Sequence, residues 1–575
     1  MSLLERFVER AEFSGTEDFL RNFRLRVPER PFNFAYDVVD EYAATEPGRR
    51  ALVWADDDGT MRTFTFADMA DASDRAAAVL AAHGVRRGDA VMLVLKNRYE
   101  FWFCILGCHK LGAVAVPATH MLMVHDLAYR FGRAGARMIV TADDARLAAD
   151  VDAACAAVET AGGRPPVRAK VGGARPGWVD FSAEWAAAGG RWKAPEGMER
   201  PGGRDPMLAY FSSGTTGEPK MVLHDYLYPL GHIVTAKWWH QVRDGGLHYT
   251  VADTGWGKAV WGNLYGQWIC GSATFVHDYR KFNAARTLEV SSAAGITSFC
   301  APPTVYRFLA KEDLGAYDFR HLEHAAVAGE PLNPEVYERF RAATGLRLME
   351  CYGQTETTLV VGNFAGMEPK PGSMGKPSPL FRATLLNAEG RECDAGEQGE
   401  MVIPLPPDGS TGGRPPGLFR GYFGDAEATA RSERGGVYHT GDVAWRDEDG
   451  YFWYVGRDDD LIKSSGYRIG PFEVESALME HPAVRECAVT GMPDPDRGQI
   501  VKATVIPTAA YEAVLSDAAQ AEALTKELQA HVKRATAPYK YPRCIVYVRE
   551  LPKTISGKIQ RKAIREGDRA GGKEA

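Results

Sequence analysis

The chain's most chemically suggestive stretch is Leu208-Ala209-Tyr210-Phe211 followed by Ser212-Ser213-Gly214-Thr215-Thr216-Gly217-Glu218-Pro219-Lys220. An apolar strand pattern runs straight into a loop of glycines and hydroxyls that ends in a lysine. Glycines let backbone N–H groups turn toward an anion, hydroxyls donate further hydrogen bonds, and the lysine adds charge. This is the make-up of a phosphate cradle, although it lacks the adjacent Gly-Lys-Ser/Thr of the P-loop. Taken alone, such a loop reads more readily as a solvated surface turn. Near the other end of the chain, Lys558 follows Gly557 among Lys553, Arg561 and Lys562. By itself that cluster reads as a basic solvated tail.

Further strings occur in a fixed order. Tyr352-Gly353-Gln354-Thr355-Glu356, Tyr438-His439-Thr440-Gly441-Asp442, Gly456-Arg457-Asp458-Asp459-Asp460 with Ser464-Ser465-Gly466-Tyr467-Arg468-Ile469, and Leu551-Pro552-Lys553-Thr554-Ile555-Ser556-Gly557-Lys558-Ile559 follow loop 212–220. Together they resemble the AMP-forming adenylating enzymes, the superfamily of acyl-CoA synthetases, peptide-synthetase adenylation domains and luciferases. Any one string is a weak signal, but five in order leave little room for coincidence. Asp253-Thr254-Gly255-Trp256, TAPYKYPR (536–543) and FEVESALMEHPAV (472–484) resemble the medium-chain acyl-CoA synthetase branch. GWGKAVWGNLYGQW (255–268) is most similar to its prokaryotic members.

The resemblance implies a ligase that joins a carboxylic acid to AMP and then to CoA, with Mg²⁺, ATP and CoA taking part. Such a site must neutralise triphosphate charge and stabilise the transition state at the α-phosphorus. Loop 212–220 would hold the β- and γ-phosphates. Glu356 would supply a hard oxygen to Mg²⁺, and Thr355 would donate to the α-phosphate or the acyl carboxylate. Glu350, Cys351, Tyr352, Gly353 and Gln354 would form the nucleotide wall, with Tyr352 near adenine beside Gly329-Glu330-Pro331. Asp442 would accept from both ribose hydroxyls, assisted by Arg457. Lys558 would be the mobile cation that binds the carboxylate and α-phosphate oxygens.

For the thiol step the resemblance implies rotation of a small C-terminal domain about Asp459. Ser465, Gly466, Tyr467 and Arg468 would then line the thiol's path, and Arg497, Lys533, Tyr541 and Arg543 would meet the CoA nucleotide. Trp256, Lys258 and Trp261 lie on the segment that resembles the acyl-pocket helix. A lysine there would shorten or bend an apolar tunnel, because an unpaired buried ammonium is costly; paired with a carboxylate, it would only shape the wall. The expected acid is short-to-medium in length, with branched and aromatic acids included, rather than a long unbranched chain.

These residues need elements to position them. Helical spacing at 66–83, 99–111 and 124–135 alternates with strand-like runs at 91–95, 113–117 and 138–142, and alternation resumes with strands at 273–277, 296–303, 324–330 and 348–353. Such alternation implies parallel sheets in an α/β fold. Residues 160–206 read as surface connection. Short strands dominate 372–455, and 471–549 reads as helix, two strands, a long helix and a strand. The expected organisation is a large N-terminal domain, 1–458, of two doubly wound α/β subdomains and a small distorted β-barrel, about 372–455. A small mobile α+β domain, 459–575, completes it.

At 575 residues, the chain can bury several cores without metal or disulfide staples. Its 68 basic and 75 acidic residues give a net charge of −7, the wrong balance for a broad nucleic-acid surface. Nine cysteines are too few for a disulfide scaffold and suit a reducing, cytoplasmic setting. The apolar stretch Phe101 to Ala118 is broken by His109 and Lys110, so it reads as helix then strand, with no membrane insertion. The N-terminus, with Glu5, Glu9 and Glu12, does not read as a signal peptide. Two other functions fit the same motifs: loading an acyl group onto a carrier-protein pantetheine, and non-catalytic sensing of an acyl-nucleotide. The resemblance also suggests a lysine-acylating regulator acting at Lys558, and a homodimer is compatible with the chain.

Overall fold

The computed structural model describes residues 2–190, 192, 197–212, 218–330, 332, 334–406, 413–465, 467–554 and 558–571. Contacts divide the chain into two units, Met1–Ala383 with Pro404–Val437, and Thr384–Ile403 with Tyr438–Ala575.

The first unit contains two mixed sheets with parallel centres. In one, the spatial order is Met61–Thr65, Arg50–Asp56, Ala273–Asp278, Leu247–Thr250, Ser298–Ala301, His324–Ala328, Leu348–Gly353, Leu359–Gly362 and Ser373–Pro377. The run from Arg50–Asp56 to Leu348–Gly353 is parallel, with antiparallel strands at both ends. The other sheet is ordered Gly421–Tyr422, Lys220–Asp225, Pro206–Ser212, Val114–Pro117, Ala90–Val94, Ala136–Thr141, Val167–Lys170 and Val179–Asp180. Its centre is also parallel, while Lys220–Asp225 returns antiparallel to Pro206–Ser212. Strands buried on both faces read as continuous apolar runs, which is why VMLVL and MIVTA were legible.

Local chemistry sets the helices. Phe66–Ala82 starts at a capping box: the Thr65 side chain accepts from the Asp68 N–H, and the Asp68 carboxylate accepts from the Thr65 N–H. The apolar stretch that follows is a buried helix, Glu100–Leu111, stopped by Gly112 at φ 80°, then the strand Val114–Pro117. Lys110 is completely buried in it, and its ammonium lies 2.8 Å from Asp40 and 2.7 Å from Asp74. A buried cation needs such partners. No helix among the described residues is long and apolar enough to cross a membrane.

Two stretches depart from expectation. Residues 160–206 hold the last two strands of the sheet containing Ala136–Thr141, namely Val167–Lys170 and the edge strand Val179–Asp180, and the helix Phe181–Ala187. Val167–Lys170 is short, only partly buried and carries Arg168 and Lys170, so it lacks the apolar run that marks a strand covered on both faces. The strand-rich stretch 372–455 also contains a helix, Ala426–Ser432, started by the Asp425 carboxylate accepting from the Ala428 N–H.

The second unit has a strand group ordered Thr384–Leu386, Gln398–Pro404, Val437–Arg446 and Phe452–Arg457. A separate sheet is ordered Tyr467–Ile469, Ile462–Ser464, Gly498–Pro507 and Val484–Asp494, and Cys544–Tyr547 runs parallel to Gly498–Pro507. The helices Pro471–Met479 and Ala518–Ala535 share a core with that sheet, built on Ile462, Val474, Leu478, Val489, Leu528 and Val532.

Candidate active site

Residues Ser213, Gly214, Thr215, Thr216 and Gly217 lie outside the described residues, as do Pro331 and Gly466. The ends of the hydroxyl-rich loop are defined. Ser212 pairs with Lys220 across the antiparallel hairpin, and the Pro219 carbonyl accepts from the Tyr129 hydroxyl at 3.0 Å. The loop is therefore carried by two sheet strands.

That hairpin also positions the second motif. His224, completely buried on the return strand, donates from Nε2 to the Thr355 carbonyl at 2.8 Å. Burial pushes the His224 pKa down to about 4, so the ring is neutral near pH 7 and can carry its one proton on Nε2. On the other side, the Phe419 N–H donates to the Glu356 carbonyl at 2.7 Å, and the Arg420 and Phe423 N–H groups donate to Leu223 and Met221. Tyr422 donates its hydroxyl to the Glu356 carboxylate at 3.0 Å. The Lys220 ammonium lies 4.8 Å above the Tyr422 ring. Thr355, Glu356 and Lys220 thus converge, through His224 and Tyr422, from segments far apart in sequence.

The residues expected to form the nucleotide wall sit at the carboxyl ends of neighbouring parallel strands. His324–Ala328 and Leu348–Gly353 are in register, Val327 beside Glu350 and Ala328 beside Cys351. Gly329, Glu330, Tyr352, Gly353 and Gln354 therefore emerge on one edge, the usual place for a ligand crevice in such sheets. Gly329 needs its φ of 109° to make the exit turn. The Glu330 carboxylate accepts from Thr304 at 2.9 Å. Glu350 itself is buried, and desolvation raises its carboxyl to about 8.

Trp256 precedes the short helix Gly257–Gly262, which carries Lys258 and Trp261. The Lys258 ammonium donates to the Ala328 carbonyl at 2.6 Å, at the same strand end as Gly329. The Trp261 indole N–H donates to the Tyr228 hydroxyl at 3.1 Å, and its ring lies against Gly353. Gly353 has to be glycine here: a Cβ would sit 3.2 Å from Trp261 Cζ2 and 2.8 Å from the Thr358 carbonyl oxygen. All three acyl-segment residues lie in the first unit with Gly329 and Gly353.

In the second unit, Asp442 stands opposite Arg457 on paired strands, with carboxylate and guanidinium 4.0 Å apart. The buried Asp442 carboxylate accepts from the Tyr454 hydroxyl at 3.1 Å. The preceding turn is pinned by Glu400, which accepts from the Gly441 N–H at 3.1 Å and lies 2.8 Å from His439 Nδ1. Arg457 also approaches Asp459, at 3.6 Å. Such a carboxylate, held by one phenol and flanked by one guanidinium, has the chemistry to accept from vicinal hydroxyls.

The residues expected at the thiol step form three groups. Ser465, in the left-handed region at φ 50°, accepts from Arg497 at 3.2 Å, and its N–H donates to the Arg497 carbonyl. Tyr541 is flanked by the Lys533 ammonium, 3.9 Å from its ring centre, and by Arg543, which donates to its hydroxyl at 2.7 Å. Tyr467, 52% exposed, stacks 4.1 Å from Tyr539, while Arg468 is exposed on the same short strand. Lys558 is exposed; the Thr554 N–H donates to the Lys558 carbonyl, the Lys558 N–H donates to the Thr554 hydroxyl, and Lys553 bridges to Ile559.

His224, Tyr422, Tyr454 and Tyr539 escaped sequence reasoning. Tyr539 alone stood within a quoted string, TAPYKYPR; the others lie outside every motif, and nothing in spacing links Tyr422 to Glu356.

Residues 39–423 match the AMP-binding enzyme family, and residues 473–558 match the AMP-binding enzyme C-terminal domain. The chain is 40% identical over 562 residues to the mitochondrial acyl-coenzyme A synthetase ACSM3 of Mus musculus, covering 96% of this chain and 93% of that protein. The crystal structure of Brucella canis acyl-CoA synthetase is 33% identical, covers 96% of each chain and superposes with a TM-score of 0.69. That of the anthranilate CoA ligase AuaEII in complex with anthranoyl-AMP is 27% identical, covers 95% of this chain and 99% of that one, and has a TM-score of 0.81. With both domains matched and relatives of this identity along nearly its whole length, the chain belongs to the AMP-binding enzymes of the adenylate-forming superfamily, in the medium-chain acyl-CoA synthetase branch.

Proposed function

We propose that the chain is an AMP-forming acyl-CoA synthetase whose two half-reactions use the residues gathered above. In the first, a carboxylate oxygen attacks the α-phosphorus of ATP and pyrophosphate leaves. In the second, the sulfur of CoA attacks the acyl carbon, the thiol proton passes to solvent, and AMP leaves with the bonding pair. The observation that carries the reading is the convergence of Lys220, Thr355 and Glu356 on one strand hairpin through His224 and Tyr422.

Thr355 orients the acyl carboxylate and α-phosphate, Lys220 and its loop hold the outer phosphates, and Asp442 with Arg457 binds the ribose. A carboxylate fixed by a phenol suits a cation shared with phosphates, so Glu356 would hold Mg²⁺ there, where the ion would neutralise triphosphate charge. Lys558 is exposed, which suits a cation that enters the site only for adenylate formation. The same exposure makes it accessible to a lysine-acylating enzyme, whose product would lack the charge. We assign the N-terminal domain to 1–458 and the mobile domain to 459–575, with the pivot at Asp459. Ser465, Gly466, Tyr467 and Arg468 then line the thiol's path, and Arg497, Lys533, Tyr541 and Arg543 meet the CoA phosphates.

The acid is short-to-medium in length, branched or aromatic. Lys258 is tethered to Ala328 beside Gly353 and Trp261, which shortens the apolar wall, and the related ligase of 27% identity holds anthranoyl-AMP, an aromatic acyl group. All nine cysteines are free thiols, in keeping with a cytoplasmic protein. The test is a panel of carboxylic acids assayed for AMP and pyrophosphate with and without CoA. Fastest turnover with palmitate would overturn the pocket assignment, and pyrophosphate release without any acyl-CoA would overturn the thioester step.

A further inference from the structure

The helix Arg561–Gly571 begins three residues after Lys558 and is bound to the rest of the second unit by ion pairs. Arg565 lies 2.6 Å from the Asp460 carboxylate, and Arg561 lies 3.7 Å from the same group. Arg561 also makes a two-pronged contact with Glu475, at 2.8 and 2.7 Å, and Glu475 accepts from the Val489 N–H at 2.8 Å. Further along, Asp568 pairs with Lys502 on the strand Gly498–Pro507. Lys553, which bridges to Ile559 beside Lys558, is held on Glu486, at 2.7 Å. A small apolar cluster of Leu551, Ile564, Ala488 and Ile506 fills the space beneath.

Asp460 is the residue directly after Asp459. The carboxylate at the start of the moving segment is therefore bound to the helix that directly follows the reacting lysine. The paired side chains are 11–23% exposed, so these contacts are less screened than surface pairs. A bidentate guanidinium–carboxylate contact also fixes direction as well as distance.

We propose that Asp460, Arg561, Arg565 and Glu475 form a strut that transmits rotation at the pivot to Lys558. They are positioning residues: they touch no substrate, but they make pivot and lysine turn as one body. The proposal rests on the roles given above to Lys558 and Asp459. Misplacing a reacting group by about 1 Å can cost about 10²-fold in rate, so loosening the strut should slow adenylation. The thiol step should be spared, because it needs Lys558 to be away.

The test measures both half-reactions: pyrophosphate release from ATP plus acid, and thioester formation from pre-made acyl-adenylate plus CoA. Asp460→Asn and Arg565→Gln should each lower adenylation about 10- to 100-fold. The double variant should lose no more than the worse single, and Arg565→Lys should retain most of the rate. Thioester formation should stay within about twofold, which also reports that the variants are folded. Adenylation within twofold of the parent in Asp460→Asn, or equal loss of both half-reactions, would overturn the strut. Lys558→Ala is run alongside: normal adenylation in that variant would overturn the underlying lysine assignment instead.

Discussion

Tyr422 donates its hydroxyl to the Glu356 carboxylate across 3.0 Å, although 66 residues separate them in the chain. The bond helps to aim the carboxylate, and the Lys220 ammonium over the same ring brings positive charge beside it. Removing the phenol oxygen leaves the ring to pack. Tyr422→Phe is therefore expected to fold normally and to adenylate about tenfold more slowly, since a hydrogen bond to a charged group is worth about 1.5–3 kcal/mol. Its Mg²⁺ requirement should rise in a titration of pyrophosphate release; an unchanged Mg²⁺ curve would disconnect Tyr422 from the metal.

The proposed pivot can be tested apart from the proposed lysine. Asp459 lies between the ribose-side Arg457 and the strut residue Asp460. Proline fixes φ near −65°, so Asp459→Pro should keep adenylation within a few-fold and block thioester formation. Equal loss of both half-reactions would argue against a pivot at this residue.

Gly353, proposed to wall the nucleotide, lies against Trp261 of the proposed acyl segment. A methyl group there would meet the Trp261 ring and the Thr358 carbonyl. Gly353→Ala should push Trp261 aside, lower the melting temperature by several degrees and raise KM for the acid more than for ATP. Overpacking of this kind costs about 1–3 kcal/mol. An unchanged ratio of the two KM values would show that Trp261 does not form the acyl wall.

Stability should fall on mild acidification. Burial holds His109 and His248 near 3 and His224 and His324 near 4, and it drives His232 and His240 well below the usual 6.5. Between about 6.5 and 4 the unfolded chain binds protons that the folded chain does not, so the free energy of unfolding drops as pH falls through that window. Glu350 has the opposite sign: raised to about 8, it is protonated when folded but ionised when unfolded, so it lowers stability as pH rises from about 4.5 to 8. Urea denaturation between pH 7.5 and 4.5 should show a steep loss with several protons taken up. Glu350→Gln should be more resistant than the parent at pH 8. A flat profile would mean that the histidines are not kept neutral.

Much was determined by sequence alone. Apolar strands alternating with helices led to two parallel-centred sheets, because a strand covered on both faces must be apolar along its length. Local strings named the family, since a phosphate loop and a Gly-Lys turn are short-range solutions written in consecutive residues. Tertiary structure decided the rest: that His224 supports Thr355, that Tyr422 aims Glu356, that Lys258 ends on the Ala328 carbonyl, and that Asp460 is tied to Arg565. Each of these pairs joins residues tens to more than a hundred positions apart, and no periodicity or spacing couples such residues. They meet only because sheet order and helix packing bring their backbones within side-chain reach.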